Sequence, residues 1–209
     1  MRVNDQKMAL LCVSAAVSYE ARAVLYGRNQ ELIRSQDTIK LLGYTVDVDG
    51  GCGTHVNNMV RKMRSKTWAL GRLKKYGFDD RDLVNVYITY IRPIAEYVSV
   101  VWHSLLNADQ AAKIEHQQTR ALRHIYGYGI SARRMRELAA VELFSKRRRD
   151  ACLSFARKAS SSPRFAHWFT MRPPSGYPRR RRSIFHEPTA RTDRYRNSAL
   201  NYMKRLLNE

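Results

Sequence analysis

Residues 86–104, VYITYIRPIAEYVSVVWHS, constrain the fold more than any other stretch. They form the most apolar and aromatic run of the chain, long enough for more than four helical turns, with Pro93 in the middle. Tyr87, Ile91, Ile94 and Val98 recur at spacings of 4, 3 and 4, the period of a helix with one apolar face. Tyr90, Tyr97 and Trp102 widen that face until little of the run remains for water. An interior proline costs a helix about 3 kcal/mol and kinks it, so packing on several sides has to compensate. The expectation is a central bent helix, or two short helices meeting at Arg92-Pro93, with the basic segments packed around it.

Those segments carry most of the charge. The chain has 209 residues and a formal net charge of +20, with pI near 10.4. Its length suffices for one ordinary domain plus an appendage, and 44% hydrophobic residues argue against disorder throughout. A globular protein this positive repels itself unless it meets a polyanion, so nucleic acid is the expected partner. A membrane is not, because the apolar run is interrupted by Arg92, Pro93 and Glu96. The opening MRVNDQKMALLCVS is too short and polar-leading for a signal peptide. Cys12, Cys52 and Cys152 lie far apart without a Cys-x-x-Cys pair, which suits free thiols in a reducing compartment, nuclear or cytoplasmic.

Two apolar runs precede the helical part. Residues 7–14 read as a buried strand and residues 38–47 as a second, whose Gly43 implies a bulge or the close approach of another backbone. Residues 19–36 are polar and mixed, a loop with a little extended structure. After the Gly50-Gly51-Cys52-Gly53 punctuation the period becomes helical. Val56, Met59, Val60, Met63, Thr67 and Leu70 form one stripe, stopped at Gly77. Asp79 with Asp82 is an N-cap for the central helix. Asn107 with Gln110 resembles a capping box for a helix whose stripe is Ala111, Ile114, Ala121, Leu122 and Ile125. Residues 131–139, 143–159 and 198–207 read as further helices. Beyond Ser160, Pro163, Pro173, Pro174, Gly176 and Pro178 mark a linker and not a core. The organisation expected is mainly α: a small N-terminal β element (1–50), a helical bundle (51–160) and a basic, partly disordered tail (161–209).

Two helices carry rows of cations. Arg61, Arg64, Trp68, Arg72 and Lys75 are spaced 3, 4, 4 and 3, on a flank turned away from Met59 and Met63. Lys113, His116, Arg120 and Arg123 do the same on the later helix. Side by side the two rows make a cationic groove with an indole available for stacking, whereas either row alone is equally a solvated charged face. Arg179, Arg180, Arg181 and Arg182 read as a phosphate-binding arm, a nuclear-import signal or an exposed tail. The acidic pairs are better suited to structure than to catalysis. Asp47-Val48-Asp49 precedes Gly-Gly and fits turn chemistry, and Asp79-Asp80 sits at a helix start. The histidines at 55, 103, 116, 124, 167 and 186 are scattered without cysteine pairs, so no zinc site is expected.

As an ordered set, IKLLGYT (39–45), VYITYIRPIAEYVSVVWHS, IEHQQTRALRHIYG (114–127), MRELAA (135–140) and the terminal ARTDRYRNSALNYMKRLLN resemble the C-terminal part of a non-LTR (LINE-type) retrotransposon reverse transcriptase. In that family the polymerase palm ends in a Leu-Gly strand, the primer grip, and a helical thumb follows. Leu42 and Gly43 match the primer-grip pair, and residues 91–97 match the thumb helix. Asn4 to Lys7 resemble the palm segment after the catalytic aspartates, with Met8 in place of its threonine. The resemblance implies a piece that retains template–primer-binding elements and lacks the catalytic aspartates. Such a piece binds no metal itself, while Mg²⁺ serves the intact RNA-directed DNA polymerase. An independent basic helical RNA- or DNA-binding protein without enzymatic activity is the alternative.

Overall fold

The computed structural model describes residues 8–13, 24–27, 30, 32–172 and 184–209. Its backbone contacts divide the chain into two compact units, Met1–Asn58 and Met59–Glu209. The architecture is mainly α, with the strands confined to the first unit.

In the first unit, β1 (Val24–Tyr26) pairs antiparallel with β2 (Leu32–Arg34), and β3 (Thr38–Leu41) with β4 (Tyr44–Asp47). Residues 38–47 are therefore not one bulged strand. Leu41 lies opposite Tyr44, and Leu42 and Gly43 form the two-residue turn between them, with φ of 48° and 85°. Two consecutive positive φ values match the right-handed twist of a hairpin, a conformation that Gly adopts freely and Leu does not. The strand expected over residues 7–14 is also absent from its described part, 8–13. Leu10 makes a single bridge to Ser35 and accepts from the Gln36 N–H at 2.8 Å. With β2 ending at Arg34, one bridging position is all that its neighbour offers.

The Asp47-Val48-Asp49 stretch is turn and cap, as its glycines suggest. The Asp47 carbonyl accepts from Gly50 N–H at 2.8 Å, and Asp49 Oδ1 from Gly51 N–H at 2.7 Å. Asp47 Oδ2 accepts from Thr54 N–H at 3.0 Å, placing a carboxylate on the first turn of α1 (Gly53–Lys75), where the free N–H groups and the helix dipole favour it.

Helix α1 leaves the first unit and continues into the second. Val56, Met59, Met63, Thr67 and Leu70 are buried and Val60 half-buried, so the stripe is the buried face. Gly77, at φ 87°, ends the helix in a Schellman pair: its N–H donates to the Lys74 carbonyl and that of Phe78 to Leu73. Asp79 then caps α2 (Asp80–Val86), accepting from Asp82 N–H at 2.8 Å.

In the central run, helix α2 passes through a π turn (Tyr87–Ile91) into α3 (Arg92–Glu96), which begins at Arg92-Pro93. The Arg92 N–H reaches back five residues to the Tyr87 carbonyl, and this wider turn makes room for the ring of Pro93, which lacks an N–H. Leu83, Tyr87, Ile91, Ala95 and Ser99 are all buried at a spacing of four, which the added π residue keeps on one side. Tyr90 and Tyr97 are exposed, so the apolar face is narrower than composition suggests. A break falls at Tyr97-Val98, where Val98 has φ 52°. After it come α4 (Ser99–Trp102) and a 3₁₀ turn (His103–Leu105).

Asn107 and Gln110 form the reciprocal capping box of α5 (Ala108–Tyr126), at 2.8 and 3.1 Å. Ser131 caps α6 (Ala132–Leu138). Helix α7 (Phe144–Ser161) has no cap of its own, and Glu115 on α5 supplies one. Its carboxylate accepts from Phe144 N–H at 3.1 Å and Ser145 N–H at 2.6 Å. Nearby, Gln118 donates to Tyr87 Oη at 3.1 Å and to the Glu142 carbonyl at 2.9 Å, tying the π turn, α5 and the start of α7 together.

The boundary expected near residue 160 does not separate the contacts. Ala156 and Ala159 of α7 form a core cluster with Phe169 and with Met203 of α9 (Ala199–Asn208), flanked by Phe165, Phe185, Leu200 and Leu207. Asn208 grips the Phe185 backbone from both sides, accepting at 2.9 Å and donating at 3.1 Å. Before α9, Thr192 caps the short α8 (Asp193–Arg196). The small alanines leave room on α7 for residues too widely scattered in sequence to read as a core. Asn4 to Lys7, the prolines at 173, 174 and 178, Gly176 and the arginines at 179–182 lie outside the described residues.

Candidate nucleic-acid interface

The row on α1 forms as its spacing requires. With the Met59/Met63/Leu70 arc buried, Arg61, Arg64, Trp68, Arg72 and Lys75 fall on the exposed arc. Trp68 is 63% exposed, a large apolar ring left in water on a helix otherwise lined with charge. The Arg72 guanidinium stacks on it, 5.0 Å from the ring centroid, and its Nη2 donates to Tyr76 Oη at 3.3 Å. Tyr76, 70% exposed, is the member that the sequence reading passed over. The signal was available, since Trp68, Arg72 and Tyr76 are spaced four apart. Among the described residues no carboxylate pairs with Arg61, Arg64, Arg72 or Lys75, whereas the neighbouring Lys74, off the row, pairs with Asp80.

On α5, Lys113 and His116 are exposed and Arg120 and Arg123 half-buried, with the Arg123 guanidinium 5.8 Å from the Tyr128 ring centroid. The two helices approach at Gly71, where an added Cβ would stand 2.9 Å from His124 Nδ1. Burial, followed by the Arg120 charge, holds His124 below its usual pKa. The C-terminal parts of the two rows, Trp68 and Arg72 on one helix and Arg120 and Arg123 on the other, thus flank one contact. Arg61 and Lys113 lie ten and eleven residues back from it along their own helices.

The remaining predicted positions have separate locations. Leu42 and Gly43 occupy the hairpin turn of the first unit, Leu42 being 84% exposed. Arg179, Arg180, Arg181 and Arg182 are outside the described residues. The longest basic run that is described, 146–149, pairs within the protein, with only Arg148 buried. Lys146 meets Glu142, Arg147 meets Glu96, Arg149 meets Glu209, and Arg148 lies 3.9 Å from Glu115. Arg148 is 0% exposed, between the rings of Trp102 at 5.5 Å and Phe144 at 5.9 Å. Its place on the row Phe144, Arg148, Cys152 and Ala156, spaced four apart along α7, distinguishes it from its two neighbours.

Asp47, Asp49 and Asp79 serve as caps and turn acceptors, and Asp80 as an ion-pair partner. Among the described residues no group of three or more His, Cys, Asp or Glu side chains is arranged to hold a metal ion. No described helix is long and apolar enough to cross a membrane. In comparisons with known proteins, no family model, no curated protein and no solved structure matches the chain.

Proposed function

We propose that the helical unit holds a polynucleotide by its backbone through the cations of α1 and α5. In this reading it is the thumb-like part of a reverse transcriptase of the LINE type, gripping template and primer without carrying out polymerisation. The supporting observation is the exposed row of Arg61, Arg64, Arg72 and Lys75, four positive side chains on one helical face with no carboxylate partner among the described residues. Phosphates satisfy such a row without reference to base sequence, as a polymerase grip requires.

Equilibrium binding of the full chain to an RNA–DNA hybrid across a salt series tests the reading. Affinity is expected to fall linearly in log–log form, each neutralised phosphate contributing about −0.9 to the slope on duplex. Replacing Arg61, Arg64, Arg72 and Lys75 by alanine is expected to weaken binding and flatten that slope, with helix content unchanged. No binding of the native chain at low salt refutes the proposal. Primer extension with Mg²⁺ is expected to give no incorporation, and incorporation by the lone chain overturns its non-catalytic part.

A further inference from the structure

We infer that the Trp68–Arg72–Tyr76 ladder at the C-terminal end of α1 is a stacking platform for unpaired bases, so that this face takes single-stranded nucleic acid as well as the phosphates of a duplex. The inference rests on the polynucleotide reading above and specifies what the rings add to it.

A row that only neutralised phosphates would need cations alone. Here two exposed rings bracket one of them, at i, i+4 and i+8, about 12 Å from first to last along the helix. Arg72 is held by both rings, over the indole at 5.0 Å and to the Tyr76 hydroxyl at 3.3 Å. That arrangement holds a planar cation between two aromatic groups. Arg64 precedes the ladder by one turn and Lys75 lies beside its far end, so positive charge flanks the rings on both sides. Alternating π faces and cations along one groove or helix face are what a single strand requires, with bases to stack and a phosphate between each pair.

A duplex cannot use the rings in this way, because its base faces are already stacked on each other and only base edges, sugar and phosphate are accessible. Trp, Arg and Tyr also suit a protein interface, and what favours a polyanion here is the set of cations around them, Arg61, Arg64 and Lys75, with no carboxylate partner among the described residues. Cations and rings together therefore suit a polyanion with exposed bases.

The test uses the full chain and three ligands: a labelled oligo(dT), a labelled oligo(U) and a blunt RNA–DNA hybrid of equal length. Trp68→Ala is expected to weaken binding of both single strands about tenfold, the loss of one stacked base, with the salt slope unchanged. Hybrid affinity is expected to change less than twofold, and Trp68→Phe, which keeps a π face, to restore most of the single-strand affinity. Equal losses on single strand and hybrid, or no loss on single strand, overturn the inference while leaving the polynucleotide reading in place. Absence of binding to all three ligands removes both. Circular dichroism of the exposed-site variants checks that helix content is retained.

Discussion

The Trp102 indole N–H donates to the Tyr97 carbonyl at 3.0 Å, across the break in the central helix. The carbonyl freed by the break is thus paired by a ring that is itself fully buried. Val98 makes the break possible at a conformational cost, because a β-branched residue at φ 52° is disfavoured by about 1–2 kcal/mol. Val98→Gly is expected to fall within about 0.5 kcal/mol of the native stability in urea unfolding, strain relief offsetting lost burial. Trp102→Phe, which keeps a ring and removes the donor, is expected to cost about 1–3 kcal/mol. A large loss from Val98→Gly would show that the strain is not there.

Gln118 is buried and spends its amide on two partners, Tyr87 Oη and the Glu142 carbonyl. Gln118→Leu strands both, with an expected cost of about 2–3 kcal/mol, and Tyr87→Phe alone is expected to cost about 1 kcal/mol. The double variant should lose less than the sum, because the hydroxyl stranded by the first change is removed by the second. Strict additivity in chemical unfolding would place the two side chains outside a common network.

Arg148 is fully buried, and none of its three guanidinium nitrogens donates a hydrogen bond to a described residue. Its carboxylate neighbour Glu115 is 3.9 Å away and already caps α7. Desolvation therefore outweighs the attraction, and Arg148→Met is expected to be neutral or stabilising by about 1–2 kcal/mol. Arg147→Met, which breaks the bonded pair with Glu96, is expected to destabilise. A reversed order in thermal melts would mean that the Arg148 cation contributes more than its burial costs.

His103 gives the fold a pH dependence. Its Nε2 lies 3.3 Å from Tyr202 Oη, and burial, with the charges of Arg148 and Arg149 adding to it, pushes its pKa down from 6.5 to about 4. Between those values the unfolded chain binds more protons than the folded one, so stability falls as pH is lowered through the window and is regained above it. Tm is expected to drop between pH 7 and pH 4.5. His103→Gln should shallow that dependence, with about 1 kcal/mol lost at pH 7 from the tyrosine contact. An unchanged slope in the variant would assign the dependence to other groups.

At the β3–β4 turn, Leu42 adopts a conformation that asparagine tolerates far better. Leu42→Asn is expected to stabilise the hairpin by about 1 kcal/mol, read as slower amide exchange at the β3–β4 ladder. If nucleic-acid affinity falls at the same time, the exposed leucine contributes to grip as well as to the turn.

The sequence by itself determined what depends on neighbours within about four residues: the α1 stripe, the caps at Asp79, Asn107 and Ser131, the Gly77 stop and the exposed cation row. Each is set by helix period or by a side chain reaching its own backbone. Tertiary structure alone decided the rest. It added a break at Val98 beyond the Arg92-Pro93 junction, brought Gly71 against His124, and recruited Phe169 and Met203 into the core of α7. Several of those contacts join residues far apart in the chain, as Gly71 with His124 and Ala156 with Met203 do, and the same is true of Glu115 with Ser145 and Tyr202 with His103. A local pattern records that a group is polar or apolar, and only the folded chain determines what stands opposite it.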